Sequence, residues 1–309
     1  MKVPEKPLPW QVGLILVVGI LAVSTSAIFI RLAIEAAQAS GVGFSVFLAA
    51  SRLAIATLIV LPSWHKLYQT PISWGSFSYA AAAGLCLALH FATWITSLSF
   101  TSIAASTTLV TTNPIWVTIL SWLWLHQKPT RLTVAGIVIA VAGSIFIALE
   151  DANAIHAGSN PFLGDALALM GAIMASLYLL LGRQAQRQGL GISSYIAVAY
   201  TTAAVVLIPF SLLAGSSYFG YPSVVYLYIL LMAVFPQIVG HTSFNWALRW
   251  ISPTLVTLMI LFEPVGASFL GFLIFGEVPS PFVLLGAVVL LAGVATAVIG
   301  AKDSRETES

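Results

Sequence analysis

Gln237, His241 and Asn245 recur at intervals of four in the stretch PQIVGHTSFNWALRW (236–250), and Arg249 follows at the same step. On an α-helix that spacing draws one slowly drifting line along a single face, roughly 12 Å long from Gln237 to Asn245. An amide, an imidazole and a second amide offer neutral hydrogen bonds. That is the chemistry of holding a polar solute or of joining helices. A second set lies at His90, Trp94 and Ser97, with Cys86 one turn before it; His90 and Trp94 share a helical face. Two histidines with no carboxylate or cysteine cluster beside them do not make a zinc site, so no metal is expected. No G-x-S-x-G, H-E-x-x-H or Walker A pattern occurs. The sequence therefore points away from an enzyme and from direct ATP drive, and it implies no cofactor and no ATPase partner.

These side chains sit in a chain that is 59% hydrophobic and 7% charged, with a mean hydropathy of +1.00 over 309 residues. Soluble domains carry about 25% charged residues. Twelve Lys/Arg and ten Asp/Glu cannot cover a 32.8 kDa globule, so the chain reads as an all-α integral membrane protein in contact with lipid. A net charge of +2 without a basic run excludes a nucleic-acid partner. A lone Cys86 excludes disulfides. A β-barrel would show segments of about 10 residues with alternating polarity; the apolar runs here are longer and nearly continuous.

Cutting at Pro, Gly and charge punctuation leaves segments of about 20 residues, the length that crosses a bilayer. They fall at 11–34, 43–62, 75–99, 103–125, 131–149, 162–186, 192–213, 223–248, 254–275 and 281–300, ten transmembrane helices in all. The apolar run from Val12 to Ile30 outlasts a signal-peptide core of about 7–15 residues and reads as a retained first span. With both termini cytoplasmic, every Lys and Arg except Arg31 and Arg52 falls on the inner side, as the positive-inside rule requires. The expected location is the cell (inner) membrane.

Laid on itself with a shift of 150, the chain places Pro114 on Pro264, Pro129 on Pro279, Gly136 on Gly286 and Gly143 on Gly293. Towards the start of each half the shift becomes 152, placing Gly19 on Gly171 and Arg31 on Arg183. The spacing predicts a short N-terminal segment (1–10), a first five-helix repeat (11–149), an outer linker (150–161), a second repeat (162–300) and a C-terminal tail (301–309). Five is odd, so the second copy enters the membrane in the opposite sense. Two inverted five-helix repeats are the build of secondary transporters, in which like halves exchange conformations around a central site.

The segment FEPVGASFLGFLIFGEVPSPFVLLGAVVLLAGVATAVIG (262–300) resembles the closing signature of EamA-type proteins of the drug/metabolite transporter superfamily, in Glu263-Pro264, Gly271, Gly276-Glu277, Gly286 and Gly293. The stretch 111–143 is similar, with Asn113 in place of the Glu and His126-Gln127 in place of Gly-Glu, and Arg52 resembles the family's second-helix Arg. The resemblance covers almost the whole chain and is nearest to YddG-type exporters of aromatic and other amino acids. It implies ten helices in two inverted halves and export of small metabolites, often amino acids. A carrier of another metabolite, such as a phosphorylated sugar, and a channel or receptor stay open beside it.

The polar residues inside the spans follow from that frame. Gln237, His241 and Asn245 line a pathway or bond helix to helix, because polar groups facing lipid are costly. His90 and Trp94 form a facing set, with a hydrogen-bonded structural histidine as the alternative for His90 and an outer aromatic belt as the alternative for Trp94. Ser24 to Ser26 in the first helix, and Ser176 and Tyr178 in the sixth, sit at matched depths of the two copies; Ser24 and Tyr178 are taken as wall residues. Pro114 and Pro264 are expected to kink the fourth and ninth helices near a central site. Glu263 is the one carboxylate placed within a span. It reads as a proton carrier or as a structural group bonded to backbone amides or to Arg52.

Overall fold

The computed structural model describes residues 7–69, 73–101, 103–126, 128–152, 160–276 and 281–306. The N-terminal Lys2 and Lys6, Gln127, much of the outer linker, and Glu277 with Pro279 lie outside them. Among the described residues the chain is helical, without strands. The elements are α1 (Pro9–Ala37), α2 (Val42–Val60) with a 3-10 turn (Leu61–Ser63), α3 (Trp64–Gln69), α4 (Trp74–Ser97), α5 (Ile103–Val110), α6 (Asn113–Leu125) and α7 (Arg131–Ala152). After the linker come α8 (Pro161–Arg187), α9 (Ile192–Leu213), α10 (Ser223–Met232), a π-helical turn (Ala233–His241), α11 (Thr242–Ala247), α12 (Pro253–Ile260), α13 (Glu263–Phe275) and α14 (Pro281–Glu306).

Local chemistry sets where these helices begin and end. Ser73, Asn160 and Ser252 cap α4, α8 and α12 by accepting from the backbone N–H three residues on, at 3.1, 3.2 and 3.3 Å. Proline opens α1, α8 and α12, where its missing N–H costs nothing. Gly276 closes α13 in the left-handed region at φ 70°, and His126 closes α6 in the same region at φ 55°.

Seven described stretches are long and apolar enough to cross a membrane: α1, α2 with its 3-10 extension, α4, α8, α9, the α10–α11 run and the α12–α13 run. Arg131–Gly143 and Leu284–Ala297 are shorter apolar segments. Large apolar side chains such as Leu58, Leu123, Val138 and Leu213 are exposed on the outside, as lipid-facing helices require.

Two features depart from the sequence expectation. Pro114 and Pro264 do not bend continuous helices. The chain breaks at Thr111–Thr112 and again at Leu261–Phe262, and each proline sits in the first turn of the helix that restarts. Proline blocks a helix carried through it but is preorganised for a helix start, so the break is the cheaper solution. The second departure is the π turn around Pro236. Widening the turn to i→i+5 bonding accommodates a residue that lacks the N–H and crowds the carbonyl four back. A step of four then falls short of a full turn instead of overshooting it. The even line through Gln237, His241 and Asn245 is split.

In the bundle, α1 lies along the α10–α11 run, α4 lies along α8 and α9, α2 packs on α9, and α7 packs on α14. The last contact is made through small residues. A Cβ on Gly143 would strike the backbone of Leu290, one on Gly293 the backbone of Ala140, and one on Gly136 the backbone of Ala297. Numbers rise on one helix as they fall on the other, so α7 and α14 run antiparallel. Close backbone approach of this kind is how helices associate in lipid, where no hydrophobic driving force joins them.

Candidate functional site

A cavity lies where α1, α2, α4, α8 and the π–α11 segment meet the two helix breaks. The space between its lining atoms, with the part that is open, amounts to about 560 Å³. Its polar lining is Ser26, Arg52, His90, Thr111, Asn113, Tyr178, His241 and Glu263, and Val23, Trp94, Val110, Leu179, Phe244 and Ile260 supply most of the apolar wall. Residues on both sides of the 150–161 linker contribute, so the site exists only when the two halves close on each other.

Arg52 on α2 is the most constrained of these groups, at 1% exposure. Its Nε–H donates to Gln237 Oε1 at 3.0 Å, one Nη1–H donates to Ser26 Oγ at 3.1 Å, and the guanidinium carbon sits 4.2 Å from the centre of the Phe91 ring. Hydrogen bonds to a charged group are worth about 1.5–3 kcal/mol each, which offsets part of the cost of holding a cation here. Glu263, the first residue of α13, lines the same cavity, and no ion pair joins it to Arg52. Glu263 and Arg52 act on each other through space across the cavity, without hydrogen-bond contact.

His90 Nδ1–H donates to the Gly171 carbonyl at 3.0 Å, which fixes the ring and leaves Nε2 as the other nitrogen. Trp94 stacks on His90 with centroids 5.8 Å apart and planes 9° from parallel. Trp94 is buried on the cavity wall, so the belt reading does not describe it. His241 faces His90 edge-on at 6.5 Å and also meets Phe91, Tyr178 and Phe244.

The rest of the four-residue row lies behind the wall. Gln237 and Asn245 are fully buried and do not line the cavity. Gln237 holds Arg52. Asn245 Nδ2–H donates to the Tyr178 hydroxyl and to the His241 carbonyl, the latter at 2.8 Å. His241 lines the cavity, while the two amides bond to side chains on other helices. Ser24 also stands behind the wall. Its Oγ–H is shared between Ile20 O (2.8 Å) and Glu263 O (3.2 Å), and Ser176 treats Ala172 O (2.8 Å) and Asn113 O (3.4 Å) in the same way. No group of three or more His, Cys, Asp or Glu among the described residues is placed to hold a metal ion.

The profile of the EamA-like transporter family matches residues 10–149 and again 162–299. The chain belongs to the EamA-like transporter family. It is accordingly a multi-pass membrane protein that transports small molecules. An uncharacterized transporter of Archaeoglobus fulgidus is 23% identical over 286 residues, covering 91% of this chain and 95% of its own. The uncharacterized transporter YyaM of Bacillus subtilis is 25% identical over 79% of this chain and 80% of its own. A probable terminal-alkyne amino-acid exporter of Streptantibioticus cattleyicolor is 27% identical over 60% of this chain and 61% of its own. A crystal structure at 17% identity superposes with a TM-score of 0.75 over 97% of this chain and 99% of its own, and so shares the fold.

Several wall residues of this EamA protein gave no signal in the sequence. Val23, Leu179 and Ile260 are apolar residues in an apolar chain, indistinguishable there from lipid-facing ones. Tyr200 carried a usable clue, a phenol within a span. Its hydroxyl donates to the Gln237 carbonyl at 3.2 Å and pairs with Thr242 Oγ1 at 3.2 Å, bracing the π turn.

Proposed function

We propose that this EamA protein is a secondary carrier that exports small metabolites, above all amino acids with neutral and aromatic ones included, by alternating access around the central cavity. In this reading ten helices form two oppositely inserted five-helix copies in the cell (inner) membrane, with both termini cytoplasmic. The observation that carries it is reciprocity across the 150–152 shift. Ser24 bonds Glu263 O as Ser176 bonds Asn113 O. Gly143 meets Leu290 as Gly293 meets Ala140. His90 and His241, related by a shift of 151, meet face to edge at the cavity. Contacts that exchange partners in this way are what a pseudo-two-fold axis generates, and two like halves around one site are what alternation needs.

The amino-acid substrate draws support from the probable terminal-alkyne amino-acid exporter among the relatives and from the scarcity of cations in the lining. A phosphorylated sugar would want several Lys or Arg beside Arg52. The test is counterflow in proteoliposomes loaded with unlabelled amino acid, following entry of a labelled panel. Saturable, trans-stimulated entry is expected. Flux that rises linearly with concentration and ignores the trans side would mark a channel and overturn the carrier.

A further inference from the structure

We propose that Arg52 and Glu263 are the two poles of a zwitterion clamp, the guanidinium receiving the α-carboxylate and the Glu263 carboxylate receiving the α-ammonium of an amino acid with an uncharged side chain. This rests on the reading of the cavity as an amino-acid carrier's site and names the groups that would recognise the backbone of the substrate.

Four observations converge on it. Apart from the two imidazoles, the charged residues among the described lining are one cation and one anion, so the fixed charge of the wall is balanced as a zwitterion is. The two face one cavity with no ion pair between them. Opposite charges held apart across a cavity recover only part of the attraction that would offset their desolvation, and a third body carrying both signs between them supplies the rest. Arg52 is anchored by groups that leave its charge uncancelled: an amide oxygen, a hydroxyl and the face of Phe91. A planar fork held that way suits a carboxylate. Lastly, Asn113, which the shift of 150 places on Glu263, lines the same cavity, and its Oδ1 is buried without a partner. An ammonium has three N–H donors to place, and Glu263 with Asn113 supplies acceptors from both helix restarts. The side chain is left to Val23, Phe244 and Ile260 on the apolar wall.

The experiment is competition against counterflow of labelled L-leucine, or of whichever neutral amino acid of the panel moves fastest. The competitors are the unlabelled amino acid, its decarboxylated amine (3-methylbutylamine for leucine) and its deaminated acid (4-methylpentanoate). In the wild-type protein each analogue should compete at least about tenfold more weakly than the amino acid, since each forgoes one charge-assisted contact. Arg52→Gln should weaken the amino acid until it competes no better than the amine, and Glu263→Gln until it competes no better than the acid, each variant losing preference for its own pole alone. If both analogues match the amino acid in the wild type while counterflow is intact, the clamp is wrong and the carrier stands. If no amino acid counterflows at all, the carrier reading falls and the clamp with it. Should either variant fail to fold, Arg52→Lys or Glu263→Asp takes its place. Each keeps the charge but moves it, and should weaken the amino acid while leaving the analogue that lacks that pole's partner unchanged, whereas equal weakening of both analogues overturns the clamp.

Discussion

Arg52 Nε–H donates to Gln237 Oε1 across 3.0 Å, tying the middle of α2 to the π turn within the α10–α11 run. This bond makes Gln237 a positioning residue. Gln237→Leu leaves a buried guanidinium N–H unpaired, at a cost of about 1–3 kcal/mol. A lower unfolding temperature in detergent is expected. Gln237→Glu should keep the protein folded but cancel the charge of Arg52, so counterflow falls while thermal stability holds. Equal stability of wild type and the Leu variant would remove Gln237 from this role.

His126 occupies at φ 55° the left-handed position that Gly276 occupies in the second half. A non-glycine residue there costs roughly 1–2 kcal/mol. The exposed His126→Gly variant should therefore raise the unfolding temperature without changing transport, and a drop would show that the imidazole contributes more than the backbone strain takes away.

The α7–α14 seam predicts matched losses. Gly143→Ala and Gly293→Ala each drive a methyl into opposing backbone, and overpacking of this sort costs about 1–3 kcal/mol. Gly13→Ala, with nothing within 4 Å of its added methyl, serves as the control and should be silent. Thermal unfolding of the three variants side by side reads the difference.

Trp94 closes the aromatic end of the cavity against His90. Trp94→Ala is expected to raise KM for small neutral amino acids by about tenfold with little change in the maximal rate, the pattern of lost ground-state contact. Trp94→Phe should retain most of the affinity. Unaltered KM in the Ala variant would place the substrate elsewhere.

The proposed orientation can be read with reporters. The turn containing Gly215 (φ 80°) and Gly220 (φ 97°) should lie outside, and the turn at Gly189 (φ 95°) inside. Alkaline phosphatase inserted in the first should be active and in the second inactive, with the reverse for a reporter that works only in the cytoplasm.

What was legible in the sequence was whatever lipid as a solvent enforces. A bilayer sets the length of an apolar run and accepts polar groups only where they have partners, so helix positions, the EamA signature and the polar candidates could be read from one chain. His90, Trp94, Tyr178 and His241 reach the cavity because depth and helical face were enough to place them. The breaks before Pro114 and Pro264 were less legible, since proline is compatible with either a kink or a restart, and packing selects between them.

The sequence by itself determined an all-helical membrane protein with two related halves, because hydropathy and repeated glycines and prolines are local and additive. Only the tertiary structure decided which polar groups meet. Gln237 turned to Arg52, Asn245 to Tyr178, and His241 alone of its row to the cavity, because a π turn changes the angle between residues four apart and a partner on another helix satisfies each buried donor. Partners separated by 185 positions, as Arg52 and Gln237 are, leave no mark in the spacing of either segment.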